Sequence, residues 1–232
     1  MQVLSQYSHK EIPPRKARRL SILITAGPTR EPIDPVRFIS NNSTGRMGYA
    51  LAKIAARKKH KVVLLSGPTH LRPPGGVKTI YVDTARCLYK KIHERLKKAD
   101  LLIMTSAVSD FRPDHVRKGK IKTKNTISVK LVRNPDILKS ISQKERKSKI
   151  IVGFSLETGN LIQHARKKMR MKGLDLMVAN EINKENTPFG DGAKTVYLID
   201  NLNRIKRLWK TPKDAIARVI LDTAEELCYT PK

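Results

Sequence analysis

Short apolar runs that are rich in branched residues recur along the chain, at intervals that leave room for a helix between most of them. They lie at 20–25, 61–66, 78–82, 100–105, 150–155, 175–180 and 195–200. Runs of this length and composition are typical of strands that are buried on both faces of a parallel sheet. The pattern therefore predicts strands at these positions.

Amphipathic stretches fill several of the intervals. Residues 45–58 carry an apolar stripe at helical spacing, with Ser43 or Thr44 available as the cap. Further helices are predicted at 85–96, 160–172 and 212–227. Strands that alternate with helices form parallel sheets with right-handed crossovers. The sequence therefore predicts an α/β, Rossmann-like three-layer fold, with a mostly parallel central sheet and helices on both faces.

One segment interrupts this order. Residues 116–125, VRKGKIKTKN, contain too few apolar side chains to pack, and the strand-like run 127–132 follows them. We predict a mobile basic flap at about 114–126. The chain divides into a basic N-terminal arm, 1–19, and a single domain, 20–232, which includes the flap. The length of this domain suits one sizeable core.

Charge is the unusual feature of the composition. The 232 residues include 48 Lys and Arg against 20 Asp and Glu, a formal net charge of +28 that favours polyanionic partners. The basic residues are scattered over nearly every predicted helix, and aromatic residues make up only 5%, too few for base-stacking platforms. Dedicated nucleic-acid binding is therefore disfavoured, and a basic Rossmann-like nucleic-acid-binding protein stays as the alternative class.

The chain offers no apolar run of about 18 residues, the minimum for crossing a bilayer, and its start is polar and basic. We expect no membrane association and a cytoplasmic location. Cys87 and Cys228 lie far apart in helix-like segments, and their spacing suggests neither a metal site nor a disulfide framework. Both are predicted to be buried thiols.

Candidate ligand-binding residues follow the predicted strands, because ligands of open parallel sheets bind beyond the carboxyl ends of the strands. After the first strand, 25–30 and 40–48 are rich in small residues that let the backbone approach an anion at a helix start. Gly45 and Gly48 follow some twenty residues after that strand, which is not the dinucleotide spacing and disfavours a nicotinamide-dependent reductase. Alternatively, the two glycines mark only close helix packing.

Three other strand ends carry polar residues. Asp110 follows the strand at 100–105 and precedes Lys120 of the flap, so it either orients a ligand or metal or caps a turn. Lys168 and Lys172 share one helical face and repel each other unless an anion lies between them or solvent screens both. Asn180 ends the strand at 175–180, where its amide could hydrogen-bond a base or a ribose.

Read together, these places resemble one family, the phosphopantothenoylcysteine synthetases. The opening signature is ITAGPTREPIDPVRFISN at 24–41, continued by STGRMG at 43–48. The resemblance extends through 106–113, 120–122, 134–137, 153–158 and 175–180. Two departures stand out: Thr123 interrupts the lysine run of the flap, and Ser106 and Ser109 stand where the family commonly has alanine.

The resemblance implies a ligase that joins 4'-phosphopantothenate to L-cysteine through an acyl-cytidylate, converting CTP to CMP and pyrophosphate on the route to coenzyme A. The segment 153–158 and the Lys168/Lys172 pair look bacterial, which favours CTP; an ATP-dependent ligase is the alternative. Mg²⁺ is expected with the nucleotide, flavin is not, and a homodimer is expected. Because the chain begins with Met and leaves no room for a fused decarboxylase, we expect a stand-alone bacterial-type enzyme.

The resemblance also assigns roles to individual residues. Asn41 would contact the reacting carboxylate, Ala107 and Asp110 would hold phosphopantothenate, and Arg37 would reach over from a partner subunit. Lys120 would be the flap cation that closes over the activated intermediate. The nucleotide and its phosphates would be bound by Gly27, Ser43, Gly45, Gly48, Ser106, Asp110, Lys120, Asn134, Pro135, Asp136, Ile137, Phe154, Lys168, Lys172 and Asn180.

Overall fold

The computed structural model describes residues 18–122, 126–181 and 192–229. Its strands are β1 (Ser21–Ala26), β2 (Arg30–Pro32), β3 (Phe38–Ser40), β4 (Lys61–Ser66), β5 (Lys78–Tyr81), β6 (Leu101–Met104), β7 (Phe111–Pro113), β8 (Leu131–Arg133), β9 (Ile150–Glu157), β10 (Leu176–Glu181), β11 (Lys194–Asp200) and β12 (Ile205–Thr211). Its helices are α1 (Arg46–Arg57), α2 (Ala85–Leu96), α3 (Ile137–Ser140), α4 (Gln143–Arg146), α5 (Leu161–Lys172) and α6 (Lys213–Tyr229).

Eight strands form the central sheet in the order β12-β11-β10-β9-β6-β1-β4-β5. The six from β10 to β5 pair in parallel, whereas β11 and β12 add an antiparallel edge. The chain order reverses between β1 and β6, so the loops that follow these two strands leave the sheet in opposite directions and open a crevice. The predicted mostly parallel sheet is confirmed.

Two apolar layers cover the sheet, one on each face. Successive side chains of a strand point to opposite faces, so Ile24 packs with α1 and α6 while its neighbour Leu23 packs with α2 and α5. The predicted three-layer arrangement is therefore confirmed. Within the described residues, no helix is both long and apolar enough to cross a bilayer.

Several local predictions were wrong. Neither Ser43 nor Thr44 caps α1: the N-cap is Gly45, in a left-handed turn with φ of 75° and no side-chain cap, and the Ser43 hydroxyl instead accepts a hydrogen bond from the Gly45 N–H. The strand predicted at 127–132 is limited to β8. Both cysteines are half-buried, not fully buried.

The sequence analysis missed β12. Most of its residues are exposed, including Trp209, and Ile205 begins it at the sheet edge. An edge strand with two largely solvated faces shows neither an apolar run nor a clean alternation, which leaves no pattern to detect.

Candidate active site

A cavity of about 670 Å³ opens at the carboxyl ends of β6, β9 and β10, beside the point where the chain order of the sheet reverses. It lies between the start of α1, the loop after β6, the segment before α3, and helices α5 and α6. Polar residues from distant parts of the sequence line it, as expected for a ligand site of a doubly wound sheet.

Most of the predicted site residues meet in this cavity. Its lining includes Asn41, Ser43, Gly45, Ser106, Ala107, Asp110, Asn134, Pro135, Asp136, Ile137, Phe154, Lys168, Lys172 and Asn180. The other four predicted residues, Gly27, Arg37, Gly48 and Lys120, are not among the residues that line it.

Gly27 and Gly48 have packing roles. A Cβ at Gly48 would lie 2.5 Å from the Ala26 Cβ and 2.8 Å from the Thr25 carbonyl oxygen, so only glycine lets α1 approach β1 this closely. Gly27 has φ of 76° in the turn after β1, and a Cβ there would lie 2.8 Å from Thr69 Cγ2. The close-packing alternative, which concerned Gly45 and Gly48, fits Gly48. Gly45 lines the cavity and is also closely packed, because a Cβ there would lie 2.7 Å from Thr69 Cγ2.

Two buried threonines hold the loop that carries Asp110. Thr25 Oγ1 accepts hydrogen bonds from the N–H groups of Thr105 and Ser106, each at 3.1 Å. Thr29 Oγ1 accepts one from the Ser109 N–H at 3.0 Å. The TAGPT run therefore acts on the site through its side chains, by fixing the loop after β6.

The same loop positions Asn41. Its side-chain Nδ2 donates to the Val108 carbonyl at 3.0 Å, which ties the segment before α1 to the loop after β6 across the crevice. The α1 N-terminus beside it has no side-chain cap and no acidic residue in its first turn. Its first N–H groups, at the positive end of the helix dipole, suit an anion.

Three polar atoms in the cavity wall are buried and have no hydrogen-bond partner among the described residues. They are Ser106 Oγ, Ser109 Oγ and Asn180 Oδ1. Buried polar groups are nearly always hydrogen-bonded, so each of these atoms is a candidate contact for a bound molecule. The two serines are the positions at which the chain departs from the alanines common in the family it resembles.

Each of the two α5 lysines has a carboxylate partner, which the sequence analysis did not anticipate. Lys168 Nζ lies 2.7 Å from Glu157 Oε1, and Lys172 Nζ lies 3.7 Å from Asp136 Oδ2. Burial alone would raise the pKa of Glu157, but hydrogen bonds from Lys168 and Ser155 hold it below its usual value. The two carboxylates come from β9 and from the N-cap of α3, which the helical spacing of the lysines does not reveal.

Arg37 and the flap meet at Asp34, a buried residue that the sequence analysis missed. Asp34 accepts hydrogen bonds from Arg37 Nη1 at 2.6 Å and from the Ile121 N–H at 3.1 Å, while Arg37 Nη1 also donates to the Ile121 carbonyl at 3.2 Å. The bond from Ile121 is the largest of those that hold the pKa of Asp34 well below its usual value. Lys120, adjacent to Ile121, is thus tethered beside Arg37; flap residues 123–125 lie outside the described residues.

The cavity also contains basic residues that the sequence analysis did not select: Arg46, Arg133, Lys194 and Lys213. Lys194 is buried, which is unusual for a lysine. Burial lowers the pKa of Lys213, and the nearby charges of Lys194 and Arg46 lower it further. Arg46 and Lys213 are the first residues of α1 and α6. Cations are disfavoured at the positive end of a helix dipole, so basic residues at these two helix starts were the feature of the sequence by which they could have been selected.

Residues 17–227 match the family model described as the DNA/pantothenate metabolism flavoprotein C-terminal domain. The chain belongs to this family. It is 39% identical over 222 residues to the coenzyme A biosynthesis bifunctional protein CoaBC of Borreliella burgdorferi, covering 94% of this chain and 55% of that protein. It is 36% identical over 218 residues to CoaBC of Escherichia coli, covering 90% and 52%.

The chain therefore spans about half the length of the curated relatives it matches. The half that it matches is identified by a crystal structure of the C-terminal domain of CoaBC, with a TM-score of 0.78 and 36% identity over 92% of this chain and 98% of that one. A Cab2 mutant in complex with phosphopantothenate-cysteine shares the fold, with a TM-score of 0.72 at 17% identity over 90% of this chain and 87% of that one. The Rossmann-like fold and the family resemblance are confirmed.

Proposed function

We propose that this family member is a phosphopantothenoylcysteine synthetase that joins 4'-phosphopantothenate to L-cysteine. One observation carries the proposal: the cavity at the sheet reversal collects polar residues from every segment of the family signature except the flap. The similarity to CoaBC over its C-terminal half and the phosphopantothenate-cysteine in the Cab2 complex support the same reaction.

The chemistry explains why such a cavity is needed. A carboxylate is a poor acylating agent until one of its oxygens becomes part of a leaving group, so the phosphopantothenate carboxylate would first attack the α-phosphorus of the nucleotide. Transfer at phosphorus depends on positioning and on placed positive charge more than on a protein nucleophile. Asn41 would orient the carboxylate, and the uncapped N–H groups of α1 would face the phosphates.

In the second step the amine of cysteine attacks the acyl carbon and displaces the nucleoside monophosphate. Negative charge then develops on the acyl oxygen, where hydrogen-bond donors are most effective. We assign this role to Asn41 together with Lys120, which the Asp34–Ile121 contact keeps beside Arg37. Ala107 and Asp110 would hold phosphopantothenate on the loop after β6.

For the nucleotide we propose CTP, with ATP as the alternative. The unpartnered Asn180 Oδ1 would accept a hydrogen bond from the base or the ribose, and Phe154 supplies an apolar wall in the same cavity. Ser106 and the segment 134–137 complete the nucleotide site. The choice of CTP rests on the bacterial character of 153–158 and of the Lys168/Lys172 pair.

The described residues contain no group of three or more His, Cys, Asp or Glu that could hold a metal ion by themselves. Mg²⁺ is usually held by one or two carboxylates together with substrate phosphates, and Asp110 in the cavity wall fits that demand. When bound there, Mg²⁺ would neutralise charge on the triphosphate. Because the reaction consumes a nucleoside triphosphate, we also propose that it takes place in the cytoplasm.

We further propose a homodimer in which Arg37 reaches the site of the partner subunit. The small sheets β2–β3 and β7–β8 lie in contact and present exposed apolar side chains, among them Val36, Phe38 and Phe111. Arg37 lies between two of these and lines no part of its own cavity. A second copy would cover the patch.

The test is turnover. The purified chain is mixed with 4'-phosphopantothenate, L-cysteine and Mg²⁺, CTP or ATP is supplied separately, and pyrophosphate release is followed with mass spectrometry of the product. Pyrophosphate and a phosphopantothenoylcysteine mass with CTP are the expected result. Turnover with ATP alone would overturn the choice of nucleotide, and silence with both, in folded protein, would overturn the ligase and favour a basic nucleic-acid-binding protein.

A further inference from the structure

Helix α4 is a single turn, and none of its residues is buried. A capping box holds it together: Ser142 Oγ accepts a hydrogen bond from the Glu145 N–H at 3.3 Å, and Glu145 Oε2 accepts one from the Ser142 N–H at 3.1 Å. So short a helix is barely stable by itself, and this one contributes no buried side chain to the core. Its last residue, Arg146, contacts two neighbouring helices.

The guanidinium of Arg146 joins the C-terminal ends of α3 and α5. Its Nε donates to the Ile141 carbonyl at 3.0 Å and its Nη2 donates to the Leu138 carbonyl, both at the end of α3. Its Nη1 donates to the carbonyl of Gly173, the C-cap of α5, at 2.7 Å. The last carbonyls of a helix have no partner within the helix and lie at the negative end of its dipole, so one cation stabilises both helix ends.

This contact is close and partly buried. Gly173 has φ of 58°, and a Cβ there would lie 3.0 Å from Arg146 Nη1, so the guanidinium lies directly against the α5 backbone. Burial lowers the pKa of Arg146, while the negative charges of Asp175 and Asp136 act in the opposite direction. A planar guanidinium has donors in a fixed fork, which lets one side chain hold two backbone segments at a set distance.

The two helices that Arg146 joins carry facing residues of the cavity wall. Asp136 and Ile137 line the cavity at the start of α3, and Lys168 and Lys172 line it from α5. Lys172 Nζ and Asp136 Oδ2 are 3.7 Å apart, too far for a hydrogen bond, and their side chains are 36% and 37% exposed. Exposed ion pairs of this kind contribute little, so this pair does not fix the distance between the helices.

We propose that Arg146 is a positioning residue: by joining the ends of α3 and α5, it sets the distance between the segment 134–137 and Lys172, and with it the affinity of the cavity for its nucleotide. The proposal rests on the proposed ligase function and deepens it. Arg146 does not line the cavity, so it acts through Asp136 and Lys172. A ligand that contacts both sides binds more tightly when their separation is already set, because less freedom is lost on binding.

The first test is the steady-state kinetics of Arg146→Met, which keeps a long side chain and removes the hydrogen-bond donors. The KM for the nucleotide should rise about fivefold or more, while kcat and the KM values for 4'-phosphopantothenate and cysteine change by less than about twofold. Helix α3 keeps its N-cap from Asp136 and the contact of Ser140 with His93, so the variant should fold. Thermal midpoints check this. A residue with only a structural role would lower the midpoint and leave the KM of the folded enzyme unchanged.

Two further variants separate the connection from the charge. Arg146→Lys keeps the charge but should also raise the nucleotide KM, because one ammonium group cannot reproduce the fork that reaches both helix ends. Lys144→Met is the matched control, since it removes one positive charge from an exposed position of the same helix and lies outside the cavity. It should behave as the wild type does. A normal KM in Arg146→Lys, or a raised one in Lys144→Met, would overturn the proposal.

A second measurement needs no turnover. Hydrogen exchange followed by mass spectrometry should show faster exchange at the ends of α3 and α5 in Arg146→Met than in the wild type or Lys144→Met. Calorimetric titration of CTP and of ATP into the same proteins gives the affinity directly. Unchanged exchange at both helix ends, equal nucleotide affinity, or no binding of either nucleotide by the wild type overturns the proposal. Failure of the ligase is distinguishable, because it appears as absent product in the wild-type turnover assay.

Discussion

At the scale of single residues, the site depends on side chains that serve two segments at once. Asn41 ties the start of α1 to the loop after β6, and Asp34 ties the β2–β3 connection to the flap. Each is a polar residue that joins two loops by hydrogen bonds. A substitution at either residue would therefore separate two loops that both contribute to the site. Two predictions belong to this scale.

Asn41→Asp should lower kcat/KM by about two orders of magnitude or more, because the new side chain cannot donate to the Val108 carbonyl and places negative charge beside a substrate carboxylate. The measurement is steady-state pyrophosphate release, with circular dichroism to check that the fold is intact. Asn42→Asp adds the same charge one residue away and should lose far less. Near-normal turnover of Asn41→Asp would contradict the role assigned to Asn41.

Asp34→Asn should lower thermal stability at neutral pH by an amount that shrinks under acid. Because the folded state lowers the pKa of Asp34, the stabilisation by its carboxylate is fully present above the usual Asp value of about 4 and is lost as the pH falls below it. Thermal midpoints of wild type and variant between about pH 7 and pH 3 measure this convergence. A difference independent of pH would show that the carboxylate charge is not what stabilises the contact.

At the scale of elements, the position of α1 decides whether the cavity exists. The helix lies against β1 through Gly48, and its uncapped start at Gly45 faces the cavity as a result. A cap from Ser43 or Thr44 was expected from residue type alone. The left-handed turn at Gly45 instead starts the helix with no side-chain cap, which suits a helix start that receives an anion.

Gly48→Ala should destabilise the fold by about 1–3 kcal/mol, because the added methyl group meets Ala26 and the Thr25 backbone and must push α1 away from β1. Chemical denaturation measures the change. Gly75→Ala is the control, since its Cβ would have no heavy atom within 4 Å. Equal stability of the two variants would mean that α1 can shift without cost.

At the scale of the whole molecule, one group of exposed apolar residues lies on the side that carries the two small sheets and includes Val36, Phe38 and Phe111. The flap is joined to the same side through Asp34 and Arg37, so assembly and site closure would involve one surface. The formal net charge of +28 also belongs to this scale, because a strong positive field favours the approach of anionic molecules.

Val36→Asp should convert the proposed homodimer to a monomer and lower turnover, because an ionised carboxylate would have to be desolvated in the subunit contact. Light scattering coupled to size exclusion gives the mass. Leu202→Asp is the matched control: Leu202 is 66% exposed and Val36 60%, but Leu202 lies in the β11–β12 turn. A monomeric wild type would contradict the proposal, as would a variant that remains dimeric.

The sequence by itself determined the parallel strands, the long helices and the family. Strands buried on both faces need continuous apolar runs, and helices that pack on a sheet need one apolar stripe. A ligand-binding loop needs specific residues in consecutive order. Each of these features therefore produces a pattern in neighbouring positions of the sequence. It also identified most residues of the cavity, because the ends of parallel strands are positions in sequence as well as in space.

Only the tertiary structure decided how the charges of the site are paired. Glu157 and Asp136 neutralise the α5 lysines from other elements, and Lys194 and Lys213 join Arg46 only because an antiparallel strand and the last helix return to one edge of the sheet. Electrostatic interactions depend on distance in space and on burial, and neither has a period along the chain. For this reason the sequence located the cavity, while the distribution of charge within it required the fold.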